Sequence, residues 1–103
     1  MAGRMRMRAR KKGEEIEVKV LMQHPMETGL RKDAQGNPIP AHYITEVHAS
    51  VGERTVLLCQ WGRAVSQNPY LSFRFKGADK GDKLTVGWLD NLGKTSSITK
   101  PIR

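Results

Sequence analysis

A chain of 103 residues, 38% of them hydrophobic, is long enough to bury one core and gives no reason to expect a second domain. Its longest apolar stretches are a few residues, far short of the ~20 that a membrane-crossing helix needs, and its single cysteine excludes an internal disulfide. A net charge of +8 points to an anionic partner, yet six of the eighteen basic residues lie in the first dozen positions with no acid among them, so the rest of the chain is only mildly basic.

Those six are Arg4, Arg6, Arg8, Arg10, Lys11 and Lys12. The run lacks the continuous apolar segment of a Sec signal peptide. It reads as a disordered, solvated arm, residues 1–12, whose like charges repel, ahead of a folded domain at 13–103. The sharper alternative is an arm that binds phosphate.

From Glu14 to Met22 the pattern alternates strictly, with Ile16, Val18, Val20 and Met22 on one face and Glu15, Glu17 and Lys19 on the other. This is the signature of a half-buried strand. Residues 24–40 then break every period. Three of the five prolines (Pro25, Pro38, Pro40) and two of the ten glycines (Gly29, Gly36) fall there, which excludes a regular helix or a central strand. A long ordered loop is expected, and loops of this length that persist in small domains are usually binding loops.

Residues 42–51 form a second strand rich in β-branched residues, with Val47, Ala49 and Val51 on one side and Glu46, His48 and Ser50 on the other. Gly52-Glu53 reads as a two-residue hairpin turn, since glycine supplies the positive φ of a type II′ turn. Residues 54–59 return as its partner. Cys59, within Val56-Leu57-Leu58-Cys59, reads as a small buried apolar residue; a reactive or intermolecular thiol is the functional alternative. One short helical turn is expected around residues 63–67, ended by Asn68-Pro69. Residues 70–76 alternate again and bury Leu71, Phe73 and Phe75, and residues 83–90 bury Leu84, Val86 and Trp88. Asn91-Leu92-Gly93 turns into a polar strand at 94–100 suited to an edge.

Six short strands with turns about every ten residues describe an all-β fold, an antiparallel immunoglobulin-like β-sandwich in a single domain. The cysteine pair of antibody domains is missing, so only the architecture is implied.

The sequence carries no catalytic motif: Gly-x-Ser-x-Gly, a phosphate loop, His-Glu-x-x-His and paired cysteines at metal spacing are all absent. A copper site joining His24 and Met26 with His42, His48 and Cys59 is chemically conceivable. His48 nonetheless alternates onto the polar face, and His42 reads as a solvated residue at a strand start. Nucleic-acid binding through the basic arm is the alternative function, but Phe73, Phe75 and Trp88 are committed to the core and leave few aromatics beside the bases. No cofactor or metal is expected.

His24-Pro25-Met26-Glu27-Thr28-Gly29, then Arg31-Lys32-Asp33, Gly36-x-Pro38-Ile39-Pro40 and Asn68-Pro69-Tyr70-Leu71-Ser72-Phe73, in this order and spacing, resemble the SoxZ family. The resemblance spans residues 14 to about 90. It implies an immunoglobulin-like sandwich and a non-enzymatic subunit that pairs with a SoxY-like sulfur carrier, whose Gly-Gly-Cys-Gly-Gly arm holds sulfur intermediates between the enzymes of thiosulfate oxidation. It also implies transient contact with those enzymes and a periplasmic destination reached by co-export with a signal-bearing partner. The loop is then the expected partner surface, through His24, Pro25, Met26, Leu30, Arg31, Pro38, Ile39 and Pro40, with Met26, Leu30 or Ile39 as apolar anchors. Without its partner the chain is expected to self-associate.

Overall fold

In a computed structural model that describes residues 4–103, the chain forms seven strands: β1 (Met5–Lys12), β2 (Glu15–Met22), β3 (Ile44–Val51), β4 (Arg54–Gln60), β5 (Tyr70–Lys76), β6 (Lys83–Asp90) and β7 (Thr95–Pro101). All pairings between them are antiparallel. They build two sheets, one in the order β1-β2-β5 and one in the order β4-β3-β6-β7, the expected antiparallel β-sandwich.

The alternation read from the sequence becomes the core. Ile16, Val18, Val20 and Met22 of β2 are fully buried and face Leu84, Val86 and Trp88 of β6 with Val47 and Ala49 of β3. β2 is the middle strand of its sheet, which is why its inward side chains are sealed. β5 lies at the edge, so Leu71, Phe73 and Phe75 pack against the core while remaining half-buried. Gly52 takes φ +58°, as the hairpin turn requires, and β7 occupies the edge foreseen for it. A bulge between Ile44 and Glu46 shifts the phase of β3. Ile44 and Val47, three residues apart, therefore share the buried side.

Two expectations are corrected. No helical turn forms at 63–67; the segment is irregular and ends at Asn68 with φ +51°. More consequentially, the basic arm is not disordered where it is described: residues 5–12 are β1, paired with β2 along its whole length, and only residues 1–3 of that expectation lie outside the described residues. The reason is a period of two hidden under the charge. Met5, Met7, Ala9 and Lys11 alternate with Arg6, Arg8, Arg10 and Lys12, and Met7 and Ala9 are buried beside Val20 and Val18. The arginines stand on the outer face of the sheet, where water screens their repulsion.

Candidate functional site

The long loop connecting β2 to β3 is a small two-stranded ribbon. Glu27 and His42 bond each other's backbone at its base (2.6 and 2.9 Å), and Lys32 bridges Pro38 nearer its tip. The Asp33 carboxylate shapes the tip by accepting the Gln35 and Asn37 amides, both at 2.9 Å. Arg31 forks onto the Glu27 carboxylate and holds its acid below the usual carboxylate range. From Leu30 to Pro38 every residue is exposed, and Leu30 is 83% exposed.

What fixes this arm to the sandwich is a buried cluster at its base. Asp90, the last residue of β6, accepts the Leu92 and Lys94 amides on Oδ1 (3.0 and 2.9 Å), which closes the β6–β7 hairpin. Its Oδ2 lies 2.7 Å from His42 Nε2 and 3.2 Å from His24 Nε2. An ionised carboxylate only accepts, so both imidazoles present N–H to it. His24 Nδ1 in turn accepts the Met26 amide at 3.1 Å. That contact fixes the tautomer of His24: proton on Nε2, lone pair on Nδ1. Asn91 completes the anchorage by accepting the Tyr43 amide (2.8 Å) and donating to the Ala41 carbonyl (2.9 Å).

The two burials act oppositely on the two kinds of group. Desolvation lowers the His24 pKa and outweighs the hydrogen bond to Asp90 that would raise it. Desolvation would raise the Asp90 pKa, but the bonds from His24, the Lys94 amide, His42 and the Leu92 amide together hold it below the ordinary carboxylate value. Trp88 meets the His24 ring nearly at right angles, with centroids 4.9 Å apart. Its buried Nε1 has no hydrogen-bond partner among the described residues.

The candidate partner residues separate into two groups. Leu30, Arg31, Pro38 and Pro40 are exposed on the arm, Pro25 is exposed at its foot and Ile39 is half-buried. His24 and Met26 are corrected: at 3% and 5% exposure they cannot anchor a partner through their side chains. Met26 instead turns inward with φ +48° and takes the Ile44 amide on its sulfur at 3.3 Å. His42, read as solvated, is a ligand of Asp90. Asp90 itself was missed, because it ends an ordinary strand and lies 66 residues from His24.

Of the residues joined in the copper reading, the His24 and His42 rings come together, while the Met26 sulfur accepts the Ile44 amide. His48 lies on the outer face of β3 across Gly87, where any Cβ would come within 2.7 Å of its Nε2. Cys59 is half-buried on the inner side of β4, opposite Val47. His24, His42 and Asp90 do bring three potential ligand atoms within 4.8 Å of one another. Binding a cation through His24 Nε2 would move its proton to Nδ1, directly against the Met26 N–H. The donor set thus suits a hydrogen-bonded structural cluster rather than a metal centre.

A sandwich of this topology is shared with known folds. Over 99% of this chain and 87% of the other, it superposes on a superoxide reductase in the oxidised state with TM-score 0.61 at 17% identity. Over 97% and 87%, it superposes on the superoxide reductase (neelaredoxin) of Archaeoglobus fulgidus in the reduced form with TM-score 0.60 at 18% identity. At such identity the likeness is one of fold. No curated protein matches the sequence. The class defined so far is a small antiparallel β-sandwich that presents an anchored, exposed loop arm. Within that class the assignment is specific: the model of the family described as sulphur oxidation protein SoxZ matches residues 5–101, and the chain belongs to the SoxZ family. Its role therefore lies in sulfur oxidation, within the Sox system.

Proposed function

We propose that this chain is the non-catalytic scaffold subunit that heterodimerises with a SoxY-like sulfur carrier and helps present the carrier's cysteine arm to the enzymes of thiosulfate oxidation. The observation that carries the reading is the ribbon whose residues from Leu30 to Pro38 are all exposed, yet which is fixed at its base by the buried Asp90 cluster. A rigid arm with an apolar side chain at its surface is what protein recognition uses, because little conformational freedom is lost on docking. The ionisable groups at its base are engaged with one another and hold the arm in place. The family's setting in sulfur oxidation supports a partner from that system, and co-export of the folded pair to the periplasm is the route we propose for it.

Co-expression with a SoxY-like chain followed by size-exclusion chromatography tests the reading. A single heterodimer peak at micromolar concentration is expected, and Leu30→Asp should split it into separate species. Two chains that migrate independently in the unsubstituted pair would overturn it.

A further inference from the structure

The edge of β1 that β2 does not take faces β7 across a groove, whose charge the arm's function leaves unexplained. Its walls include Arg6, Arg8 and Arg10 of β1, Lys19 of β2, and Lys100 and Arg103 beyond the sheet edge, and no acidic side chain lines it. Lys11, on the same rim, is paired with Asp79 at 2.8 Å, and Lys19 makes a looser contact of 3.8 Å with Glu17. No carboxylate among the described residues forms an ion pair with Arg6, Arg8 or Arg10.

The backbone beside these arginines is half used. Arg103 donates its amide to the Ala9 carbonyl (3.0 Å) and accepts the Lys11 amide (2.7 Å). The odd-numbered residues of β1 therefore turn their N–H and C=O away from β2, toward the edge. Met5 and Met7 share this phase, and no partner among the described residues takes their outward groups. Unpaired edges accept an added strand, which here would enter the groove between β1 and β7. Here the added strand would lie along a row of cations repeating about every 6.8 Å, the spacing of alternate side chains on any extended peptide.

The geometry points to a binding site for an extended, acidic peptide segment of a partner protein, which adds to the β1 edge at Met5 and Met7 and sets alternate carboxylates against Arg6, Arg8 and Arg10. Arg103 already occupies the far end of the same edge in the same hydrogen-bonding mode. The site is separate from the loop arm and does not rest on the carrier pairing. A polyanion such as a nucleic acid would satisfy the arginines but leave the edge amides unused, which is why a peptide is favoured.

The test uses the full chain and fluorescence anisotropy with short labelled peptides. A peptide alternating glutamate with valine should bind saturably. Three changes should each weaken it at least about tenfold: grouping its glutamates together, N-methylating the backbone amides of one edge, and the triple substitution Arg6→Ser, Arg8→Ser, Arg10→Ser. These arginines are outside the core, and circular dichroism of the triple variant checks that it is folded. Amide hydrogen exchange at Met5 and Met7 should slow when the alternating peptide is present. Equal binding of the N-methylated peptide, tighter binding of a single-stranded oligonucleotide than of the alternating peptide, or no saturation up to millimolar peptide would each overturn the assignment.

Discussion

Asp90 does the work of two residues, closing a hairpin with one oxygen and anchoring a loop with the other. Replacing it with alanine leaves two amides and two imidazole N–H groups short of an acceptor. Asp90→Ala should therefore cost about 3 kcal/mol, measured by urea unfolding, whereas Asp90→Asn, which keeps an acceptor, should cost less. The same cluster sets the acid response. His24 has a folded pKa below its unfolded value, so the unfolded chain takes up the proton first, and stability falls as pH drops below about 6.5, the ordinary histidine value. Asp90 has a lowered folded pKa as well, and its contribution fades only below about 3.9, the ordinary aspartate value. Unfolding midpoints are therefore expected to decline between pH 7 and 5 in the unsubstituted chain. In His24→Asn the decline over that window should be shallower, although the variant starts from lower stability; an equally steep decline would assign the slope to another group.

At the scale of elements, β1 is the instructive strand. Its outer side chains are cationic and its inner ones are core, so substitutions two kinds apart should separate cleanly. Met7→Ala should lose about 2 to 3 kcal/mol through the cavity it leaves beside Val20. Arg8→Ala, one residue on, should stay within about 0.5 kcal/mol, and comparable losses in the two would place Met7 outside the core. β2, β3, β5 and β6 were legible because their alternation is written in aliphatic and aromatic residues, and β4 and β7 because a tight turn delivers each to a partner. In β1 the same period is written in Met, Ala and Arg, and a reading by charge conceals it. The loop was legible as an interruption, since proline and glycine mark where regular structure stops. Its ribbon pairing, the inward turn of Met26 and the Asp90 cluster were not, because each depends on a partner 15 or more positions away that no local pattern names: Glu27 with His42, Met26 with Ile44, His24 with Asp90.

In the whole molecule, 53 × 21 × 20 Å in extent, the pairing of β1 with β2 runs on to the foot of the loop arm. The Arg4 carbonyl accepts the Gln23 amide at 2.9 Å, immediately before His24. The arm's shape is set by three devices that differ in kind: the fixed φ of Pro38 and Pro40, the Asp33 side-chain bonds at the tip, and the Asp90 cluster at the base. Only the last is shared with the sandwich, so loosening the first two should leave the fold intact while raising the entropy that a partner must remove. Pro38→Gly combined with Pro40→Gly is expected to weaken binding of a SoxY-like partner by about 1 kcal/mol per freed residue, and Asp33→Ala should act in the same direction. The melting temperature of the isolated chain should change little in either variant. Calorimetric titration separates the origin, because a pre-organisation effect appears as a less favourable binding entropy with the apolar contacts, and hence the heat-capacity change, retained. Affinity unchanged in both variants would mean that the arm lies outside the interface or that neither device sets its shape.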